Sequence, residues 1–265
     1  MSGPPSARSR HRTSLGGSTL DDARRRLIFP LDFPTLDEAD AAVSRIAPSI
    51  GAIKIGLELF LREGPRAVEL GHRLGIDVFL DLKLHDIPET VGRAVAAAAA
   101  LRVRYLTVHA AGGFSMLQRA AEETAKAEGM ILLAVTVLTS LDDRDLEAQG
   151  VSGGAGEHAQ RLAELAWSAG VRGFVTSPNE VARIRAAVGA TALLVTPGIR
   201  PAPEDASLSS AATSGDDQKR IATPAAAISA GADLLVVGRP IRDSADPPAA
   251  ARAIVTDIAR ALTST

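Results

Sequence analysis

The chain has 265 residues, 46% hydrophobic and only 3% aromatic, with a formal net charge of -2. That length suits one large domain or two small ones, and the aliphatic content is enough for a sizeable core. The balanced charge argues against a nucleic-acid or membrane surface, and the absence of cysteine excludes disulfides, thiolate catalysis and cysteine-ligated metal.

The opening "MSGPPSARSRHRTSLGGST" is basic and rich in Ser, Gly and Pro. It lacks the apolar centre of a secretory signal and has little of the amphipathic pattern of a transit peptide. Residues 1–26 therefore read as a disordered basic tail and 27–265 as the folded domain. No apolar run approaches the ~18 residues of a membrane span. With no cysteine to oxidise, the expected location is a reducing compartment, the cytoplasm.

From Leu27 onward, short apolar runs alternate with longer amphipathic stretches. The expected strands are 27–33, 52–56, 77–84, 105–110, 131–138, 173–177, 192–198 and 233–239. The expected helices are 35–47, 64–74, 89–102, 114–128, 155–169, 179–187, 224–230 and 247–262. "TLDE" predicts a capping box with Thr35 as N-cap and Glu38 three residues on. Gly75 and Gly170 fall where helix C-caps belong. Strand then helix, eight times over in about 240 residues, predicts a closed (β/α)8 TIM barrel as a single α/β domain. The rival is an open doubly wound sheet, but no Gly-x-Gly-x-x-Gly follows the first strand. One segment breaks the rhythm: 199–220 is almost devoid of apolar residues and would lie on the C-terminal face, where barrels build active sites.

The third strand, "DVFLDLKL", carries charge where a buried strand should not. Side chains alternate along a strand, so Phe79, Asp81 and Lys83 share the face that points into the barrel, and Leu80, Leu82 and Leu84 face the helices. The same alternation turns Lys54 of "AIKIG" inward. Asp32 ends the first strand at the same mouth, and Asp86 follows the third. Five charged residues from three strands are thus expected at one rim. A salt-bridge cluster that merely holds the barrel together is the plainer reading, but such clusters stabilise less than apolar packing does. A lysine flanked by carboxylates stays protonated and acts as an acid, which argues against Schiff-base chemistry. A carboxylate beside it would repel an anionic substrate group, and loss of that group as carbon dioxide would relieve the repulsion. The lysine could then protonate the carbanion left behind.

The seventh and eighth strands each end in glycine, in "VTPGIRP" and "VVGRP". Glycine admits close approach of a ligand, and barrels often bind phosphate at this place. Arg239 supplies a fixed cation and Gln218 a neutral donor. His85 and His109 sit near the same mouth, but neither their spacing nor that of His72 and His158 matches a metal motif. Trp167 lies on the apolar face of its helix.

"FLDLKLHDIPETV", with "KIGLELF", "AVTVLTS", "TPGIRP" and "VVGRPI", resembles the orotidine 5'-phosphate decarboxylase family from about Leu27 to the last helix. The resemblance implies a cofactor-free, metal-free decarboxylation of orotidine 5'-phosphate to uridine 5'-phosphate, the last step of de novo UMP biosynthesis. By position, Lys83 matches the donor of the proton to C6, and Asp81 the carboxylate beside the substrate's own. Lys54 matches a residue that completes the charge network and touches the ribose, and Asp32 one that binds ribose hydroxyls. Asp86 and Thr90 would reach into the site of a partner copy, making a homodimer with shared active sites. Thr139 and Ser140 match contacts to the pyrimidine and the phosphate-gripping loop. Arg200, Gln218, Gly238 and Arg239 match contacts to substrate and phosphate around the lid. The Arg200-to-Gln218 segment is longer than the family's usual connection and reads "GDDQ", with an extra Asp.

Two other readings use the same residues. A metal-dependent 3-keto-L-gulonate 6-phosphate decarboxylase or an epimerase would need magnesium near the third strand, where Lys54 would repel it. A catalytically silent phosphate-binding barrel would not need the charged strand at all.

Overall fold

The computed structural model describes residues 19–201 and 220–264. Gln218, most of the polar 199–220 segment and the first eighteen residues of the tail lie outside the described residues. Eight parallel strands close into a barrel in chain order: β1 (Leu27–Pro30), β2 (Ala52–Ile55), β3 (Asp77–Leu84), β4 (Tyr105–His109), β5 (Ile131–Val135), β6 (Gly173–Val175), β7 (Leu193–Thr196) and β8 (Leu234–Val236), with β8 pairing back onto β1. The (β/α)8 expectation is met.

The helices are α1 (Thr19–Arg25), α2 (Leu36–Ile46), α3 (Leu57–Glu63), α4 (Pro65–Leu74), α5 (Pro88–Ala100), α6 (Phe114–Thr124), α7 (Asp143–Ala148), α8 (Ala155–Ser168), α9 (Val181–Val188), α10 (Pro224–Ser229), α11 (Arg239–Arg242) and α12 (Pro247–Thr263). None of them is long and apolar enough to cross a membrane. Thr35 caps α2 by accepting from the Glu38 N–H at 3.3 Å, while the Glu38 carboxylate accepts the Thr35 hydroxyl proton at 3.1 Å. The reciprocal capping box forms elsewhere, between Asp142 and Asp145 at the start of α7. Gly75 closes α4 in the left-handed conformation, φ 65°.

The boundary of the tail needs correction. Thr19–Arg25 is a helix with acidic residues in its first turn and basic ones in its last, the arrangement that suits the helix dipole. It packs on α12 and buries Ala23 completely. Gly51, just before β2, lies directly beneath it: a Cβ there would sit 2.5 Å from the Arg25 carbonyl oxygen. Backbone cannot swing aside as a side chain can. Gly51→Ala is therefore expected to lower stability by about 1–3 kcal/mol, which is several degrees in Tm for a domain of this size. Thermal unfolding of the variant checks this, with room-temperature activity unchanged because the contact is at the opposite end from the barrel mouth.

Two apolar layers hold the fold. Outside, Leu27, Phe29, Ile53, Leu80, Leu106 and Phe174 face the helices. Inside, Ile28, Ala52, Phe79, Tyr105, Leu133 and Val195 plug the barrel. Two residues further along the first four strands, the same alternation brings Pro30, Lys54, Asp81 and Thr107 into the interior, above the plug. Several strands stop earlier than their apolar runs suggest. β5 ends at Val135 and β7 at Thr196, and the residues that leave the ladder, Val137, Leu138, Pro197 and Gly198, line the cavity at the mouth.

Candidate active site

The charged layer is an alternating chain. The Lys54 ammonium lies 3.6 Å from Asp32 and 3.6 Å from Asp81, and the Lys83 ammonium donates to Asp81 at 2.8 Å. Asp81 is 8% exposed and Asp32 lies at the open rim. Burial alone would push the Asp81 carboxyl up. Lys54 and Lys83, with hydrogen bonds from Lys83 and Thr107, outweigh it and hold the group below its ordinary value of 3.8. Asp81 is thus a carboxylate throughout the neutral range, with a cation on either side.

β3 is twice the length of β2 and runs past its end: Ile55 pairs with Leu80, and Asp81–Leu84 continues beyond. Against β4 the register slips, Leu80 pairing with Leu106 but Leu84 with Val108. Lys83 takes up the slip with φ 48°, a left-handed conformation that costs a non-glycine residue about 1–2 kcal/mol. The Thr107 hydroxyl meets the irregularity. It accepts from the Lys83 backbone N–H at 2.8 Å and donates to Asp81 at 3.0 Å. Lys83 enters the interior as alternation predicts, but by way of a bulge and not a regular strand.

Above this layer opens a cavity of about 740 Å³, a size that suits a small-molecule ligand. Asp32, Lys54, Asp81 and Lys83 form one side. Arg200, Gly238, Arg239 and Arg242 form another, and Thr139 lies on the wall after β5. Gly198 is left-handed, φ 79°, so the chain can turn there at the cavity wall. At Gly238 the demand is room: a Cβ would come 2.9 Å from Cγ of Pro30 at the end of β1. Arg242, which the sequence reading passed over, is paired with Asp243 at 2.6 and 3.1 Å, and that hydrogen bonding raises its pKa. Guanidinium groups thus share one cavity with a partly buried lysine–carboxylate chain, an arrangement that can hold an anion beside charged acid–base groups.

The other expected site residues fall outside the cavity wall. Asp86 and Thr90 do not line the cavity, and an Asp86 carboxylate oxygen accepts from the Ile87 N–H at 2.6 Å just before α5. Four of the five charged residues expected at the mouth therefore meet within one chain, and Asp86 does not join them. Ser140 is exposed beside Thr139, and Gln218 lies outside the described residues.

His85 and His109 stack, with centroids 5.4 Å apart and planes 16° from parallel. Nδ1 of His109 accepts from the Ala111 N–H, and burial, then His85 and Lys83, push its pKa down. Among the described residues no group of three or more His, Cys, Asp or Glu is arranged to hold a metal ion. Trp167 packs at the edge of the core beneath the Arg172 guanidinium, 4.2 Å from its centroid.

A buried ion pair also escaped the sequence. Arg220 donates to Glu180 at 2.6 Å and to the Leu138 carbonyl at 2.9 Å, so it ties the chain entering α10 to the loop after β5. No local pattern signals such a contact between residues 40 positions apart.

Comparison with known proteins agrees with this geometry. The family model described as "Orotidine 5'-phosphate decarboxylase / HUMPS family" matches residues 25–254. An orotidine 5'-phosphate decarboxylase of Anaeromyxobacter sp. (strain K) is 52% identical over 233 residues, covering 88% of this chain and 98% of the relative. One of Halorhodospira halophila is 52% identical over 237 residues, covering 89% and 97%. The crystal structure of orotidine 5'-phosphate decarboxylase from Lactobacillus acidophilus superposes with a TM-score of 0.75 at 34% identity, covering 88% of this chain and 99% of that one. With its closed barrel, its charged third strand and relatives matched over nearly their whole length, this chain belongs to the orotidine 5'-phosphate decarboxylase family.

Proposed function

We propose that the protein is a carboxy-lyase that converts orotidine 5'-phosphate to uridine 5'-phosphate without metal or cofactor, in the cytoplasm, with Lys83 as proton donor. The observation that carries the reading is the alternating chain Asp32–Lys54–Asp81–Lys83 beneath a nucleotide-sized cavity. The phosphate lies towards Arg200 and Arg239, with the Gly238 backbone alongside. Asp32 and Lys54 take the ribose hydroxyls. Thr139 borders the pyrimidine. The substrate carboxylate then stands beside Asp81. When the C6–carboxylate bond breaks, carbon dioxide leaves and the electron pair stays on C6. A proton from the Lys83 ammonium goes to C6, and the neutral amine regains a proton from solvent. The adjacent ammonium also stabilises the charge as it develops.

A metal-assisted reaction fits less well. A divalent ion at Asp81 would have to compete with two ammonium groups that already lie 2.8 and 3.6 Å from its carboxylate oxygen. The test is turnover of orotidine 5'-phosphate, followed by its absorbance, in the presence of EDTA. Undiminished turnover is expected, and loss of activity restored by magnesium would favour the metal-dependent reading. Binding of uridine 5'-phosphate without any turnover would favour a silent barrel.

The functional unit in this reading is a homodimer in which Asp86 and Thr90 complete the partner copy's site. Its support is an apolar rim. Leu57 and Leu61 on α3, Ile87 after β3 and Phe114 at the start of α6 are all exposed large side chains near the mouth-side ends of β2, β3 and β4. Lys83→Ala and Asp86→Ala proteins, each inactive alone, are expected to regain activity on mixing. With free subunit exchange one site in each hybrid is intact, so roughly a quarter of wild-type activity returns. No recovery despite exchange verified by mass would exclude the shared site.

A further inference from the structure

We infer that Thr107 is a positioning residue for the decarboxylation: its hydroxyl supplies the partner that the Lys83 N–H lacks in the sheet, and so fixes the Lys83 ammonium against Asp81. The inference rests on the reading of Lys83 as proton donor.

Between the Leu80–Leu106 and Leu84–Val108 pairings, β3 has three residues where β4 has one, Thr107. The Val78 carbonyl faces β4, so alternation would turn the Lys83 N–H of a regular strand towards β2, which has already ended at Ile55. Here it donates to Oγ1 of Thr107 at 2.8 Å. A hydroxyl has one proton and two lone pairs, so it can accept from the amide and donate at the same time. Its proton goes to Oδ1 of Asp81 at 3.0 Å, while Oδ2 of Asp81 accepts from the Lys83 ammonium at 2.8 Å. The result is a closed ring: Lys83 backbone, Thr107 hydroxyl, Asp81 carboxylate, Lys83 side chain. Both ends of one lysine are held through one threonine.

Two further observations point the same way. Thr107 is wholly buried, so water is not a ready substitute for the hydroxyl. The left-handed backbone of Lys83, φ 48°, persists only where its surroundings over-determine it, and this ring is what surrounds it. Thr107 does not line the cavity, so its loss acts on the position of the donor and not on the binding of the nucleotide.

The test compares Thr107→Val, which keeps the shape without the hydrogen bonds, with Thr107→Ser, which keeps the hydroxyl. For Thr107→Val, kcat is expected to fall by about a hundredfold, with KM and uridine 5'-phosphate affinity within about threefold of wild type. Thr107→Ser is expected to recover at least about tenfold of that loss. A Thr107→Val enzyme with kcat within about threefold of wild type, or one impaired only in KM, would overturn the inference. If Thr107→Val does not fold, Thr107→Ala, whose side chain is smaller than the native one, takes its place under the same criteria. Wild-type protein without any turnover would count against the functional reading and not this one. In that case a crystal structure of Thr107→Val decides: Lys83 leaving the left-handed region, or its ammonium parting from Asp81, supports the positioning role, and an unchanged Lys83 overturns it.

Discussion

Lys83→Ala is expected to reduce kcat by roughly 10⁴-fold or more, about 5 kcal/mol in the barrier, while the protein stays folded and binds uridine 5'-phosphate within about tenfold of wild type. The magnitude follows from the two roles proposed for this one group: proton transfer to carbon, and electrostatic stabilisation of charge developing at C6. Folding survives because the Lys83 side chain is one-third exposed at the end of β3 and because Asp81 keeps Lys54 and Thr107 as partners. Binding survives because the arginines on the other side of the cavity are untouched. Steady-state kinetics together with nucleotide titration check both halves of the expectation. Wild-type turnover in this variant would remove the lysine from the mechanism.

Asp81→Asn is expected to lower kcat by about 10³-fold without raising KM, and to destabilise the fold by about 3 kcal/mol. Asparagine has the same shape but leaves two ammonium groups facing each other across a buried amide. The kinetic pattern follows from the place proposed for Asp81, beside the substrate carboxylate. A group that opposes the ground state is not needed for binding, so its loss is expected in kcat alone. The stability difference also has a pH signature. The folded-state pKa of Asp81 is depressed below 3.8, so its stabilisation is complete above that value and drains away as the pH falls through the lower folded-state value. Melting curves of wild type and variant should therefore differ most near neutrality and converge in acid. A constant gap down to the acid limit would mean that the charge is not what stabilises.

The barrel was legible because strand and helix leave different periods in the sequence, and Asp81 and Lys54 were legible because a strand alternates. What alternation could not supply was register. The contact between Thr107 and Lys83 depends on how β3 slides against β4, and nothing local to either strand records that slip. For the same reason Arg220 and Glu180 gave no sign of meeting. The ends of β5 and β7 were overrun because apolar residues that leave the ladder to line a cavity look like strand residues. Helix α1 was read as tail because it buries little beyond Ala23, so its only sequence signal is the run of charges that suits its dipole. Asp86 was expected among the charges at the mouth, but within one chain it does not line the cavity; in the proposed dimer it serves the partner copy's site.

The chain contains no cysteine, which permits a direct test of the central claim. Lys83→Cys introduces the protein's single thiol, and alkylation with 2-bromoethylamine rebuilds an ammonium group at nearly the native distance from the backbone. Turnover of orotidine 5'-phosphate is measured before and after, with mass spectrometry to establish one adduct per chain. The account predicts negligible turnover before alkylation and a large recovery after it. Wild-type-like turnover before alkylation, or none after complete modification of a folded protein that still binds uridine 5'-phosphate, would contradict it.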